Sequence, residues 1–259
     1  MRLVVIAAAA AAVLTAADQG PRPQAPRINI GGIVNAASNR PAPDNFVSPG
    51  AIISIYGTGL SLETREVRAS DLDNGFLPDI LAGVTVFFGP VPAHLFYVSP
   101  LQINAQVPTV LQPGQWEVIV RVDRLESRER VEVRPYSPGL FAVVRHSDGT
   151  LVSRATPARP GEYVLFFGTG FGPTRPPMLA GALAPQGPTW LTSRIEAWIG
   201  DMPLRLEEIY YWGLAPGFAG LYQFNLQVPA AAPSGELEVV VKIGADWSQP
   251  GVRVAIERQ

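Results

Sequence analysis

Cysteine is absent from this chain of 259 residues, lysine occurs once (Lys242), histidine twice (His94 and His146), and charged residues make up only 16%. The missing thiols remove disulfides, thiol nucleophiles and thiolate metal sites together, and leave the redox compartment open. A formal net charge of −2 offers no basic footprint for nucleic acid, and the acidic balance is too slight to call for a cationic partner. Nearly all the positive charge is arginine. Beside so much alanine, glycine and proline, that is a compositional bias rather than a sign of anion recognition. After the first 14 residues no apolar run approaches the length of a membrane span.

What is present begins with a leader. Met1-Arg2 supplies a short positive start, Leu3 to Leu14 an apolar stretch, and Thr15-Ala16-Ala17 small residues at signal-peptidase spacing. Residues 1–17 are therefore expected to be a signal peptide, and the polar, proline-rich stretch 18–27 a linker. The mature chain is expected to be exported, without a membrane span, to the periplasm, the cell surface or the medium.

The dominant feature is an internal repeat. Ser48-Pro-Gly-Ala-Ile-Ile-Ser-Ile-Tyr-Gly-Thr-Gly-Leu60 returns as Arg159-Pro-Gly-Glu-Tyr-Val-Leu-Phe-Phe-Gly-Thr-Gly-Phe171, with 5 of 13 residues shared. Gln102-Ile-Asn-Ala-Gln-Val-Pro108 returns as Gln223-Phe-Asn-Leu-Gln-Val-Pro229, with 5 of 7 shared. The offsets, 168 − 57 = 111 and 223 − 102 = 121, place one extra loop of ten residues in the second copy. Two units follow, 28–136 and 137–259.

Each copy reads as short apolar or alternating runs punctuated by glycine and proline. In the first these are Ala51–Tyr56, Val84–Phe88, Trp116–Val122 and Val131–Val133, the last two joined by the charged stretch Asp123–Arg130. In the second they are Tyr163–Phe167, Ile195–Ile199, Leu237–Ile243 and Val252–Ile256. No helical periodicity competes with them. The expected fold is all-β, two tandem immunoglobulin-like β-sandwich domains.

In the Gln-x-Asn-x-Gln-Val-Pro strands, alternation turns Ile103, Ala105 and Val107 inward, with Phe224, Leu226 and Val228 as counterparts. Gln102, Asn104, Gln106 and Gln223, Asn225, Gln227 then form an amide row on the other face. That row either satisfies neighbouring backbone or forms a polar docking face. The Pro-Gly…Gly-x-Gly pattern of Pro49–Leu60 and Pro160–Phe171, each followed by a strand ending in Phe-Gly or Ile-Gly, resembles the immunoglobulin-like IPT/TIG fold. Val34-Asn-Ala-Ala-Ser38, Pro138-Gly-Leu-Phe141 and Gly213-Leu-Ala-Pro-Gly-Phe-Ala-Gly-Leu-Tyr222 resemble the Solibacter uncharacterised C-terminal domain family. That resemblance implies a module of exported bacterial proteins with no established activity, so it transfers no site residues.

Reactive constellations are scarce. Gly57-Thr-Gly59 and Gly168-Thr-Gly170 lack the following helix and lysine of a phosphate loop, and read instead as strand-exit glycines. Asp71-Leu-Asp-Asn-Gly75 alternates oxygen donors but breaks the EF-hand pattern. Glu207-Glu208 would point to opposite faces of a strand, and the mixed charges from Arg121 to Arg134 fit a solvated hairpin. The candidate ligand-binding residues are aromatic: Tyr211, Trp212 and Phe218, in the loop assigned to the ten extra residues. Burial against the sandwich end or the seam between units is the competing reading. We therefore expect no catalytic residues, metal or cofactor, and a non-enzymatic interaction or structural module whose partner is a protein or polysaccharide at the cell envelope. The alternatives are a carbohydrate-binding module built on those aromatics, or a hydrolase with a site between the units.

Overall fold

A computed structural model describes residues 25–258; the leader and the first residues of the linker lie outside that range. The fold is all-β. Seven longer strands occupy the first half: β1 (Arg27–Asn35), β2 (Ile52–Thr58), β3 (Val84–Phe88), β4 (His94–Val98), β5 (Gln102–Gln106), β6 (Gly114–Val122) and β7 (Leu125–Val133). Seven more follow: β8 (Gly139–His146), β9 (Tyr163–Thr169), β10 (Ile195–Ile199), β11 (Ile209–Leu214), β12 (Tyr222–Gln227), β13 (Gly235–Ile243) and β14 (Arg253–Ile256).

The strand order repeats. One sheet runs β1-β2-β5-β4 and its mate β7-β6-β3; the second half has β8-β9-β12-β11, with β13 flanked by β10 and β14. Labelled A to G along each half, these are the A-B-E-D and C-F-G sheets of a constant-type immunoglobulin sandwich. Two-residue strands decorate the edges.

Register repeats as well. Ile33 faces Ile55 and Val144 faces Phe166, each displaced by 111 residues, and both first strands carry an irregularity between this pair and the preceding one. The first glycine of each Gly-Thr-Gly explains the other paired end. A Cβ on Gly57 would stand 2.1 Å from the Arg27 carbonyl oxygen, and one on Gly168 would stand 2.5 Å from that of Gly139. The second glycine takes positive φ, 63° at Gly59 and 84° at Gly170, where the strand turns out of the sheet.

Alternation places the core as expected. Ile103, Ala105, Val107, Phe224, Leu226 and Val228 are all fully buried. They belong to two apolar clusters with no residue in common, one drawn from Ile28 to Val133 and the other from Leu140 to Ile256.

Two boundary assignments need correction. The stretch Asp123–Arg130 is not a connector: β7 begins at Leu125, and the turn is only Asp123-Arg124, with Asp123 at φ 53°. Its charges survive within a strand because β7 ends its sheet and pairs Arg128 with Glu126 and Glu117 in solvent. The ten extra residues do not form one loop. Leu95 faces Ala105 while Ile209 faces Leu226, so the offset at this strand is 209 − 95 = 114. Three residues (114 − 111) therefore precede β11 and seven (121 − 114) follow it. Tyr210, Tyr211 and Trp212 lie within the strand itself.

Gly168→Ala is expected to destabilise the protein by more than about 2 kcal/mol, because the new methyl meets backbone that cannot move aside. Gly187→Ala, where nothing lies within 4 Å of the added atom, should be neutral. Urea unfolding of the two variants checks the difference.

Candidate functional site

The sequence motifs converge on the seam between the halves. Five residues, 134–138, connect β7 to β8. Within them Ser137 donates its N–H to Gly170 O (2.9 Å) and its hydroxyl to Ser48 Oγ (2.9 Å), and accepts the Asn35 amide at its carbonyl (2.7 Å). Asn35 Oδ1 accepts the N–H groups of Ala37 (2.8 Å) and Ser38 (3.0 Å). Thr169 Oγ1 accepts from Ile52 N–H and donates to Gly220 O, both at 2.8 Å. Asn35, Ser48, Ser137 and Thr169 are all buried, and each polar side chain has its partner.

The amide row resolves in the same place. Gln106 is buried; its Nε2 donates to Gly50 O (3.0 Å) and its Oε1 accepts Gly181 N–H from the second half (2.7 Å). Its counterpart Gln227 donates to Gly161 O at 2.8 Å but stays near solvent, since nothing of the described chain docks there. Beside Gln106 the two halves form a short ladder. Leu77 N–H donates to Gly181 O and Leu183 N–H to Gly75 O, both at 2.9 Å.

This ladder disposes of the calcium loop. Asp73-Asn74-Gly75-Phe76 is a tight hairpin turn with positive φ at Asn74 (48°) and Gly75 (81°), the geometry of a type I′ turn. The Asp71 carboxylate is engaged by the Arg65 guanidinium and the Arg68 N–H. Among the described residues no three acidic or imidazole side chains gather in a way that would hold a metal.

A cleft of about 480 Å³ opens at the seam, walled by Pro49 and Pro135 on one side and Pro173, Met178, Leu179 and Leu214 on the other. The seven residues inserted after β11 help to form it: Gly220 packs so closely that a Cβ would stand 2.7 Å from both Gln106 Nε2 and Gly50 O.

The three aromatic candidates part company. Tyr211 is buried; its hydroxyl donates to Leu214 O (2.7 Å) and burial raises its pKa. Trp212 is half-buried, packs on the second core and meets Trp190 edge-on at 5.2 Å. Phe218, on the inserted loop, is 56% exposed. Residues not singled out in the sequence are more open: Tyr210 is 69% exposed and meets Tyr163 edge-on at 5.7 Å, beside the amide row of β12. Tyr210 is the extra residue where β11 shifts register between Ile209 and Tyr211, a break that no sequence period marks.

The histidines do not form a site between the halves. His94 Nδ1 lies 2.9 Å from Leu77 O, with Gly181 against its ring. His146 sits in β8, its Nδ1 on the Glu162 carboxylate and its Nε2 3.0 Å from Thr156 O. With an acceptor at each nitrogen, the protonated ring has no lone pair to offer a nucleophile. These partners favour that form, and the pKa is raised, chiefly by Glu162. Glu207-Glu208 lies in a 3₁₀ turn rather than a strand: Glu208 is buried and accepts Arg205 N–H (2.7 Å) and guanidinium (3.1 Å), which lowers its pKa.

No family model matches the chain, and no curated protein matches it. The Solibacter-family resemblance therefore rests on the quoted motifs alone. Among solved structures it is similar to a surface glycan-binding protein of the Bacteroides ovatus mixed-linkage glucan utilization locus, bound to a heptasaccharide, with 12% identity, 84% of this chain and 46% of that one covered, and a TM-score of 0.33. It is also similar to a tandem from titin (9% identity, 91% and 65% covered, TM-score 0.23) and to the BSP domain of a biofilm-associated protein (9%, 91% and 29%, TM-score 0.25). The chain spans less than two thirds of each, and likeness of this degree carries no functional argument.

Two outcomes follow. Asn35→Ala strands the Ser137 carbonyl and two N–H groups in the interior, and should cost about 2–3 kcal/mol in urea unfolding. Because the folded pKa of His146 lies above its unfolded value, the ion pair contributes fully below about pH 6.5, and that contribution fades as pH rises through the folded pKa. Glu162→Gln should therefore destabilise by roughly 1 kcal/mol more at pH 6 than at pH 9; an equal loss at both would contradict the pairing.

Proposed function

We propose that this chain is a non-enzymatic interaction module, exported to the cell envelope or beyond, built from two immunoglobulin-like units at 28–136 and 137–259. The observation that carries this reading is the buried polar seam. Its hydrogen bonds fix one unit against the other, so that surface residues from both present a constant spacing to a partner. Export is supported by the leader signature, and the repeat supports duplication of one unit. Both imidazoles are held by structural partners, which favours a binding role over a hydrolytic one.

A polysaccharide is the second reading for the partner. It is favoured by Tyr210 and Phe218, exposed on the second unit together with the half-exposed amides Gln223 and Asn225. Neutral rings and amides suit sugar faces and hydroxyls, and no formal charge is required. Trp212 packs on the second core and on Trp190, and Tyr211 contributes packing.

Purified residues 18–259 should co-sediment with an envelope fraction, and Phe218→Ala should weaken that retention at least threefold. Protein left wholly in the supernatant would contradict the module reading. A glycan array separates the two partners: signal on polysaccharides that falls with Tyr210→Ala favours sugar, and a blank array favours protein.

A further inference from the structure

We infer that the seam cleft is a binding pocket for a compact, uncharged, apolar small molecule. The inference goes beyond the interaction-module reading.

Three observations point to that chemistry. Among the described residues, none that lines the cleft is charged. Each polar side chain in its wall already has a partner within the protein. Gln106 spans Gly50 O and Gly181 N–H, Thr109 Oγ1 accepts Ala180 N–H, and Thr174 Oγ1 donates to Pro176 O. Tyr136 bonds Ser193 Oγ, and Tyr222 donates to Gly172 O. A charged ligand would find no ion-pair partner and would lose its own hydration. What remains for recognition is apolar surface from Met178, Leu179 and Leu214 and the faces of four prolines.

The size agrees. About 480 Å³ lies within the range of small-molecule sites, and sites of this kind favour the junction of two units. The walls come from both halves, pinned by the Gln106 bridge and the Leu77–Gly181 ladder, so the cleft is formed before anything enters it. A preformed apolar pocket binds without the ordering cost of assembling one.

The probe is N-phenyl-1-naphthylamine, an uncharged apolar fluorophore, titrated into residues 18–259. Saturable one-to-one binding with enhanced emission is expected. Met178→Lys places a charge in the wall and should weaken it at least tenfold, while Met178→Leu should retain it. Leu179→Lys makes the same test at a side chain already 64% exposed, so folding is not at stake. Leu151→Ala, exposed but outside the wall, should bind like the wild type. Absence of saturable binding, or equal affinity in Leu179→Lys and wild type, would overturn the inference. Protein that co-sediments with envelope but takes up no probe keeps the module reading and loses this one.

Discussion

The carboxamide of Asn35 stands at the point where the two halves meet, and most of the seam is arranged around it. Its nitrogen reaches the Ser137 carbonyl, and its oxygen gathers the Ala37 and Ser38 N–H groups. A buried amide with one end unpaired would cost more than the bonds it makes are worth, so the site is stable only while both sides are in place. The glycines nearby are required by proximity. A Cβ on Gly139 would stand 2.6 Å from Asn35 Oδ1, and one on Gly170 would stand 2.1 Å from Ser137 O. The Asn-Ala-Ala-Ser, Pro-Gly-Leu-Phe and Gly-Thr-Gly strings thus serve a single physical end, letting two sandwiches approach closely enough to bond through backbone.

This constraint also explains why the two copies diverge where they do. Gln106 and Gln227 hold equivalent turn carbonyls, at Gly50 and Gly161, in keeping with the sequence repeat. Only Gln106 has a second role, accepting Gly181 N–H across the seam. The seven residues after β11 exist only in the second copy, and their Gly220 carbonyl receives the Thr169 hydroxyl. The two halves repeat one strand order, and the inserted loop helps to hold them together with a cleft at the join.

Local order was legible because local chemistry sets it. Val84–Phe88 and Ile195–Ile199 are strands to the residue, since each apolar run stops at a glycine whose φ is positive. The inward positions of Ile103 and Phe224 follow from a two-residue period. The seam was not legible: Asn35 and Ser137 are 102 residues apart, Ile52 and Thr169 117, and no periodicity links them. Tyr211 looked available because aromatic residues beside Gly-Leu-Ala-Pro-Gly suggest a loop. The strand continues through it, and the phenol lies over Gly213, where only a glycine leaves room. The mixed charges from Arg121 to Arg134 do form a solvated hairpin, but its turn was drawn too long. Arginine and glutamate read as a connector there, whereas β7 is an edge strand in which Glu126 meets Arg121 and Arg128 meets Glu117 across the pair.

The account stands or falls on whether the halves behave as one cooperative body. Differential scanning calorimetry of residues 18–259, compared with Asn35→Ala, reads this directly through the ratio of calorimetric to van't Hoff enthalpy. A single transition with a ratio near one is expected for the wild type, splitting or broadening in the variant as the seam loosens. Two independent transitions in the wild type, with midpoints that Asn35→Ala leaves unmoved, would contradict it.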